Sequence, residues 1–351
     1  MPDARESALY LLGSVLGRKT LPQATALLRA DAPLTPAQAA ALAALCARRA
    51  AREPLQYILG AWDFAGLADV AVRAPVLVPR AETEDLVALA VAAAAALPGG
   101  GGGGGGGTLL DVGTGSGVIA AAMLARLPGW RALALDVSAR ACALAAENGA
   151  RAGVGARLHV LQGDLRAFVP PRGEAALRLV VSNPPYIPDC ALRGLQPEVA
   201  QWEDARALAG GAPRGLGVVL ALLARAGGGW GGSHPLRPGT PLLLEVDAQH
   251  PPLLHALLQQ AAGGGGGGAP AEQAPPLLLH PASGLGQPRA LTQRELAAAA
   301  PLSSGEVAAA EAAGAASGSA AWSLRDLRQW RWVRGYYSIG DLPRIVHLEK
   351  T

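Results

Sequence analysis

The sequence is poor in aromatic residues, cysteine and charge, and each shortage excludes a class of protein. Aromatic residues make up 4% of the 351 positions, and the net charge is only +3. A charge that small does not argue by itself for binding to nucleic acid or to a membrane. The three cysteines, Cys46, Cys142 and Cys190, are too widely spaced for a disulfide framework or a zinc site, so we expect a reducing compartment and no metal.

Long apolar runs are also missing. The longest, residues 86–97, is mostly alanine and predicts an ordinary helix rather than a membrane span. The N-terminus has no basic segment followed by an apolar core, so no secretory signal is expected and no leader is visible. We expect a protein of the cytoplasm or of a chloroplast or mitochondrial matrix. The organellar location is considered because long alanine and glycine inserts are unusual in compact bacterial enzymes.

Changes in composition divide the chain into three parts. Residues 1–53 read as helices and predict a small all-helical domain, while residues 54–80 read as short extended pieces that form a connecting β-hairpin. Residues 81–351 hold alternating strands and helices. Within them, the polyglycine run 99–107 predicts a flexible linker, and 263–320 predicts a disordered insert because large apolar residues are scarce there. The overall class is α/β.

A strand, a glycine-rich loop and a helix follow one another over residues 108–120. Gly113, Gly115 and Gly117 permit a tight turn and the close approach of a ligand to the backbone. A dinucleotide site is the obvious rival, but that fingerprint needs its third glycine where this chain has Val118.

Polar residues follow the next strands of the predicted sheet. Asp136 ends the second strand and can accept hydrogen bonds from ribose hydroxyls. Asp164 follows the third strand and can accept from an adenine amino group, with Leu165 against the ring face. Because ligands of open α/β sheets bind at the carboxyl ends of the strands, we expect these residues and Asn183 to share one crevice.

The fourth strand ends in Asn183-Pro184-Pro185-Tyr186. A proline cannot donate to a sheet ladder, so the strand must stop at Asn183, and the residue before a proline is held in an extended conformation. Carbonyl oxygens with few competing donors, together with the Asn183 amide oxygen, suit a planar –NH2 group. Tyr186 can stack on its flat face. A simple proline turn is the alternative.

These motifs together resemble the HemK/PrmC family. Its members are class I S-adenosylmethionine-dependent methyltransferases that modify a glutamine side-chain amide in peptide-chain release factors. The resemblance lies in 52–60, 78–84, 111–117, 182–187, 196–199 and 340–346. It implies a seven-stranded Rossmann-like sheet beside the helical N-terminal domain, S-adenosyl-L-methionine as cofactor, and a monomer with a class 1 release factor as protein substrate.

The resemblance also implies roles for individual residues. Gly113, Thr114, Gly115, Ser116 and Gly117 would cradle the methionine part of the cofactor. Asp136 would hold the ribose, and Asp164 with Leu165 the adenine, although the family often has an aromatic residue in place of Leu165. Asn183 would touch cofactor and substrate, and Pro184, Pro185 and Tyr186 would complete the substrate pocket, so the implied catalytic residues are Asn183, Pro184 and Tyr186.

Two other functions remain open at the level of sequence. The Asn-Pro-Pro-Tyr tetrapeptide also occurs in methyltransferases of adenine N6 in DNA or RNA, although the chain lacks a large basic target-recognition domain. A non-catalytic module that binds S-adenosylmethionine or a translation factor is the second. The aromatic and basic residues of 330–337 fit either contact with RNA or a half-buried edge hairpin.

Overall fold

The computed structural model describes residues 4–17, 33–99, 106–171, 176–230, 236–262, 289–297, 302–316, 323–338 and 342–351. A helix predicted to begin at Pro22 lies outside these ranges, as does most of the polyglycine run. Within the described ranges, no helix combines the length and the apolar character needed to cross a bilayer.

The N-terminal region is helical, as predicted. Helices α1 (Ala4–Val15) and α2 (Pro36–Ala50) are followed by the short α3 (Leu55–Leu59). Thr35 caps α2 through a reciprocal pair of hydrogen bonds with Gln38, which satisfies backbone donors that a helix start leaves free. A small cluster centred on Leu11, Leu55 and Ile58 joins this region to the hairpin that follows.

The connecting hairpin is shorter than predicted. Strands β1 (Ala61–Phe64) and β2 (Leu67–Ala71) pair antiparallel, whereas residues 55–59 form a helix instead of an extended piece. Gly60 ends that helix with a positive φ of 75°, a conformation that glycine adopts at little cost.

The main domain holds the seven-stranded sheet that the resemblance implied. Its strands are β3 (Thr108–Val112), β4 (Arg131–Asp136), β5 (Leu158–Gln162), β6 (Leu177–Ser182), β7 (Pro241–Glu245), β8 (Trp330–Ser338) and β9 (Leu342–Lys350). They lie in the order β5-β4-β3-β6-β7-β9-β8, and β9 runs antiparallel to both of its neighbours. The carboxyl ends of β3 to β7 therefore meet at one edge.

Helices cover both faces of this sheet. Side chains alternate along each strand, so Leu109 enters the core that contains α4 (Glu82–Ala96) and α5 (Val118–Arg126), while Leu110 enters the core on the other face. The second core contains α8 (Gly217–Gly227) and α9 (His250–Ala261). Helix α6 (Ala139–Arg151) follows β4, and the single-turn α7 (Pro197–Ala200) follows β6.

The prediction of a disordered insert over 263–320 is wrong for 289–297 and 302–316. These ranges contain α10 (Gln293–Leu296) and α11 (Ser304–Ala316), and α12 (Leu324–Leu327) comes just before β8. Four isolated apolar residues, Leu291, Leu296, Leu302 and Val307, are buried in the core beside α9. Burial of these few side chains is enough to order segments whose average composition is poor in large apolar residues.

The C-terminal hairpin is a buried edge rather than a stacking surface for bases. Trp330, Trp332 and Tyr336 are buried, and the Trp330 indole donates to the carbonyl of Leu223 at 2.9 Å. The exposed Arg331 pairs with Glu349 on the neighbouring strand. Of the two interpretations of 330–337, the structure supports the edge hairpin.

Candidate active site

A cavity of about 470 Å³ opens at the carboxyl ends of the central strands. Its volume falls in the range of small-molecule sites. Eight residues predicted for the site line it: Gly113, Gly115, Asp136, Asp164, Leu165, Asn183, Pro184 and Pro185. Sequence reasoning missed other parts of the wall, which include Pro75, Val76, Leu77, Asp204 and Arg206.

The glycine-rich loop forms the floor of the cavity through its backbone. Gly113 and Gly115 have φ values of 71° and 56°, and the N–H of Gly113 donates to the carbonyl of Leu135 at 2.8 Å. Both residues lie in the left-handed region, which L-residues with a Cβ occupy only with strain. The loop is thereby held against the end of β4.

Thr114, Ser116 and Gly117 do not line the cavity. The Thr114 hydroxyl donates to Asp111 at 2.7 Å, and the buried Ser116 offers its carbonyl to the amide of Asn148 at 2.8 Å. A Cβ on Gly117 would lie 2.7 Å from the Cα of Ala145. The three residues shape the loop and pack it against α6, so a direct contact between them and a ligand stays a prediction.

Asp111 is a buried carboxyl that sequence reasoning left without a role. One oxygen accepts from Thr114 Oγ1 and, at 3.3 Å, from the N–H of Ala120. The other oxygen, Oδ1, has no hydrogen-bond partner in the described part of the chain. Burial raises the pKa of this carboxyl to about 7, against the two hydrogen bonds.

Asp136 stands at the end of β4 with both oxygens directed by backbone donors. Oδ2 accepts from the N–H of Gly115 at 2.9 Å, and Oδ1 accepts from the N–H of Ser138 at 2.8 Å. Each carboxylate oxygen still has a free lone pair. The side chain therefore links the glycine-rich loop to α6 while it can accept further hydrogen bonds inside the cavity.

Asp164 also lines the cavity and is more open to solvent than Asp136. Its Oδ1 accepts from the N–H of Arg166 at 2.8 Å, and its side chain is 47% exposed. Leu165 follows on the cavity wall and offers an apolar surface. The pair could pack against a flat ring and accept from its edge.

The Asn-Pro-Pro-Tyr motif begins directly after β6. The Asn183 amide nitrogen donates to Thr83 Oγ1 at 3.2 Å, which leaves its carbonyl oxygen available. Pro184 and Pro185 line the cavity, but Tyr186 does not. The Tyr186 hydroxyl lies 3.5 Å from the Arg344 guanidinium, and burial together with the charge of Glu245 raises its pKa to about 12. Stacking of Tyr186 on a substrate stays a prediction.

The loop beyond the motif is fixed by buried ion pairs. The fully buried carboxylate of Glu203 accepts from Arg80 at 2.6 and 2.8 Å, and the N–H of Asp204 donates to the carbonyl of Pro75 at 2.8 Å. Glu203 and Asp204 thereby anchor the cavity wall. No cluster of His, Cys, Asp or Glu suited to a metal ion occurs in the described ranges.

Two stretches of the chain match models of known families. Residues 1–60 match the PrmC N-terminal domain, and residues 104–194 match the methyltransferase small domain. A human protein named MTRF1L release factor glutamine methyltransferase is 36% identical over 262 residues, which are 74% of this chain and 74% of that protein. The chain belongs to the release factor glutamine methyltransferase family.

Bacterial members of the family are similar to the same extent. The release factor glutamine methyltransferase of Geobacter sulfurreducens is 40% identical over 70% of this chain and 77% of its own length. Among solved structures, TrmN from Thermus thermophilus aligns with 77% of this chain and 48% of its own, at 18% identity and a TM-score of 0.35.

The release factor glutamine methyltransferase family uses S-adenosylmethionine. The cavity fits that cofactor because it offers a glycine-rich loop, the Asp136 carboxylate and an apolar wall at Leu165.

Proposed function

We propose that this enzyme transfers a methyl group from S-adenosyl-L-methionine to the side-chain amide nitrogen, N5, of the glutamine in the Gly-Gly-Gln motif of a class 1 peptide-chain release factor. The observation that carries the proposal is the position of Asn183 and Pro184 at the cavity of a chain that belongs to this family.

The site supplies acceptors for the hydrogens of the reacting amide. An amide nitrogen is a poor nucleophile because its lone pair is delocalised into the carbonyl group. We expect the Asn183 side-chain oxygen and the Pro184 carbonyl to accept its two N–H groups, which directs electron density toward the nitrogen and aims it at the methyl group. Positioning and preorganised dipoles supply most of the rate enhancement, and no strong base is needed before transfer.

The cofactor supplies an electrophilic methyl group on its sulfonium sulfur. Gly113 and Gly115 would hold its methionine part, Asp136 its ribose, and Asp164 with Leu165 its adenine. Thr114, Ser116 and Gly117 keep the loop in shape for this task. Pro75, Val76 and Leu77 also line the cavity.

We assign the helical region 1–53 to docking of the release factor, with 54–80 as its connection to the catalytic domain of 81–351. We expect the enzyme to act as a monomer. A cytoplasmic or organellar matrix location follows from the substrate, because bacterial-type release factors act there.

Methylation of adenine N6 and binding without catalysis are the competing functions. Purified protein is incubated with cofactor labelled in its methyl group and with a release factor, a release factor in which the motif glutamine is changed to alanine, or DNA. We expect label on the first substrate only. Label on DNA would support the adenine reaction, and no transfer despite cofactor binding would support the non-catalytic module.

A further inference from the structure

A buried polar chain runs behind Asn183, on the side away from the cavity. Asn183 donates to Thr83 Oγ1 at 3.2 Å. The carboxyl group of Glu245 lies beside Thr83, and the Thr83 hydroxyl lowers the pKa of that carboxyl as a hydrogen-bond donor does. Thr83 and Glu245 are 3% and 1% exposed, so no solvent competes for these contacts. Neither side chain lines the cavity.

The fold brings these three residues together from distant parts of the sequence. Ser182 pairs with Leu244 across the parallel strands β6 and β7, so Asn183 and Glu245 leave those strands side by side. Thr83 lies in the first turn of α4, which packs on β7. Glu245 is the last residue of β7. Because β6 and β7 are buried in the sheet, the backbone that carries the Glu245 side chain has a fixed position.

With Glu245 ionised, the hydrogen bonds that link Asn183, Thr83 and Glu245 have one consistent direction. An ionised carboxylate can only accept, so Glu245 takes the hydroxyl hydrogen of Thr83. The Thr83 oxygen is then free only to accept, and of the two ends of the Asn183 amide only the –NH2 group can donate to it. The Asn183 carbonyl oxygen must therefore point the other way, toward the cavity.

The charges around Glu245 fit this direction. Burial raises the pKa of the Glu245 carboxyl to about 7, although the Thr83 hydroxyl and the positive charges of Arg344 and Arg80 act against this rise, so the carboxylate predominates above about pH 7. Glu82 opposes them. One carboxyl oxygen, Oε2, has no hydrogen-bond partner among the described residues.

We propose that Thr83 and Glu245 are positioning residues that select one of the two flipped orientations of the Asn183 amide, the one that presents its oxygen to the substrate amide. In the reversed orientation, two –NH2 groups would face each other and the substrate would lose an acceptor. This inference rests on the proposed function, because it names what keeps the acceptor of that reaction in place.

The test compares Thr83→Val, which keeps the side-chain shape and removes the hydroxyl, with Thr83→Ser, which keeps the hydroxyl. We expect Thr83→Val to lower kcat by roughly 10- to 100-fold, the equivalent of one lost hydrogen bond in the transition state, with KM for the cofactor and its affinity unchanged. Thr83→Ser should retain kcat to within about threefold of the original enzyme.

A double-variant comparison separates positioning from simple packing. If Thr83 acts through Asn183, Thr83→Val should add nothing to the loss caused by Asn183→Ala, because the group to be oriented is already gone. Glu245→Gln provides a second route should Thr83→Val fail to fold. Its amide can donate to Thr83 and reverse the chain, so kcat should fall by about tenfold.

Three results would overturn the inference: an undiminished kcat in Thr83→Val and Glu245→Gln, equal losses in Thr83→Val and Thr83→Ser, or losses that multiply in the double variant. The unaltered enzyme is assayed first with the release factor. If it transfers no methyl group, the proposed function fails; if it does and the variants behave like it, only the positioning role fails.

Discussion

At the scale of single residues, Asn183 can be tested separately from the other cavity residues because it is the side chain proposed to accept from the reacting amide. We expect Asn183→Ala to lower kcat by about 10²–10³, by analogy with the loss of one preorganised hydrogen-bonding group at a developing charge. Cofactor affinity should change little, because the glycine-rich loop, Asp136 and Leu165 remain. Single-turnover methyl transfer and calorimetric cofactor binding measure the two effects.

The matched control for this change is Gln201→Ala. Gln201 also carries an amide, but it is exposed and does not line the cavity. It should leave both measurements unaltered. Methyl transfer by Asn183→Ala at the rate of the original enzyme would remove Asn183 from the mechanism.

Sequence patterns predicted the residues that line the cavity better than the residues that contact them from outside the cavity. A glycine-rich loop, two acids and Asn-Pro-Pro-Tyr each end a strand, and strand ends meet in any parallel sheet, so their convergence is predictable. In the first turn of α4, by contrast, the acids Glu82 and Glu84 are typical of a helix start and predict no contact with the cavity residues. Thr83 between them contacts Asn183 100 positions away, and no local pattern marks such a contact.

Glu245 did leave a signal in the sequence. It is a charged residue within the apolar run of β7, and a buried charge needs a partner. The identity of that partner depends on how α4 packs on the sheet, which composition and periodicity do not specify. The same reason explains why the wall from Pro75 to Leu77 was missed, since its contacts with Glu203 and Asp204 join distant parts of the sequence.

At the scale of elements, the close packing of α5 against α6 depends on Gly117. Its φ is 79°, and a Cβ there would lie 2.7 Å from the Cα and 2.8 Å from the Cβ of Ala145. We expect Gly117→Ala to lower the free energy of unfolding by about 3 kcal/mol, which combines backbone strain and overpacking. Urea denaturation measures the loss, and cofactor affinity should fall with it because the glycine-rich loop shifts.

Gly153→Ala is a matched control for backbone strain alone. Gly153 has a φ of 70°, close to that of Gly117, but nothing lies within 4 Å of a Cβ built on it. Its substitution should cost only about 1–2 kcal/mol, the strain of a left-handed residue. Equal losses in the two variants would mean that the contact with Ala145 adds nothing.

The closing hairpin β8–β9 carries a buried histidine that makes stability depend on pH. Burial, followed by the charges of Arg331 and Arg334, lowers the pKa of His347 from 6.5 to about 4. Between pH 6.5 and pH 4, His347 is protonated in the unfolded chain but neutral in the folded chain. The free energy of unfolding should therefore fall as the pH drops. The difference of 2.5 pH units corresponds to about 3 kcal/mol by pH 4.

His347→Leu should remove this part of the acid sensitivity. We expect the free energy of unfolding of the variant to decrease less than that of the original protein between pH 7 and pH 4.5, as measured by urea denaturation at each pH. Above pH 7 the neutral imidazole carries no such penalty, and the difference between the two proteins should be constant there. If the free energies of unfolding of the two proteins fall equally between pH 7 and pH 4.5, groups other than His347 cause the pH dependence.

At the scale of the whole molecule, the helical N-terminal region is tied to the catalytic domain at Glu198. This residue, in α7, is 2% exposed and accepts from Arg49 at 3.0 Å and from Arg52 at 2.5 Å. The same loop connects back to Asn183 through 187–196. An ion pair with one buried partner thus fixes the proposed docking region relative to the cavity.

We expect Glu198→Ala to loosen the N-terminal region without unfolding the catalytic domain. Breaking the pair removes the only buried carboxylate that Arg49 and Arg52 contact in the described ranges. The free energy of local opening of α2 should fall by about 1–3 kcal/mol, less than for a fully buried pair because Arg52 is half exposed. Hydrogen exchange over residues 36–50 measures this directly.

The consequence for activity distinguishes a docking role from a purely structural one. A loosened docking region should bind the release factor more weakly, because part of the binding free energy is then spent on ordering that region. KM for the release factor should therefore rise, while cofactor affinity and kcat at saturation should stay unchanged. Glu147→Ala breaks two exposed ion pairs, with Arg73 and with Arg151, and should change stability by no more than about 1 kcal/mol and KM not at all. If Glu198→Ala speeds exchange in α2 but leaves KM for the release factor unchanged, the substrate does not dock on that region. Unaltered exchange would mean that the apolar cluster around Leu11 holds it alone.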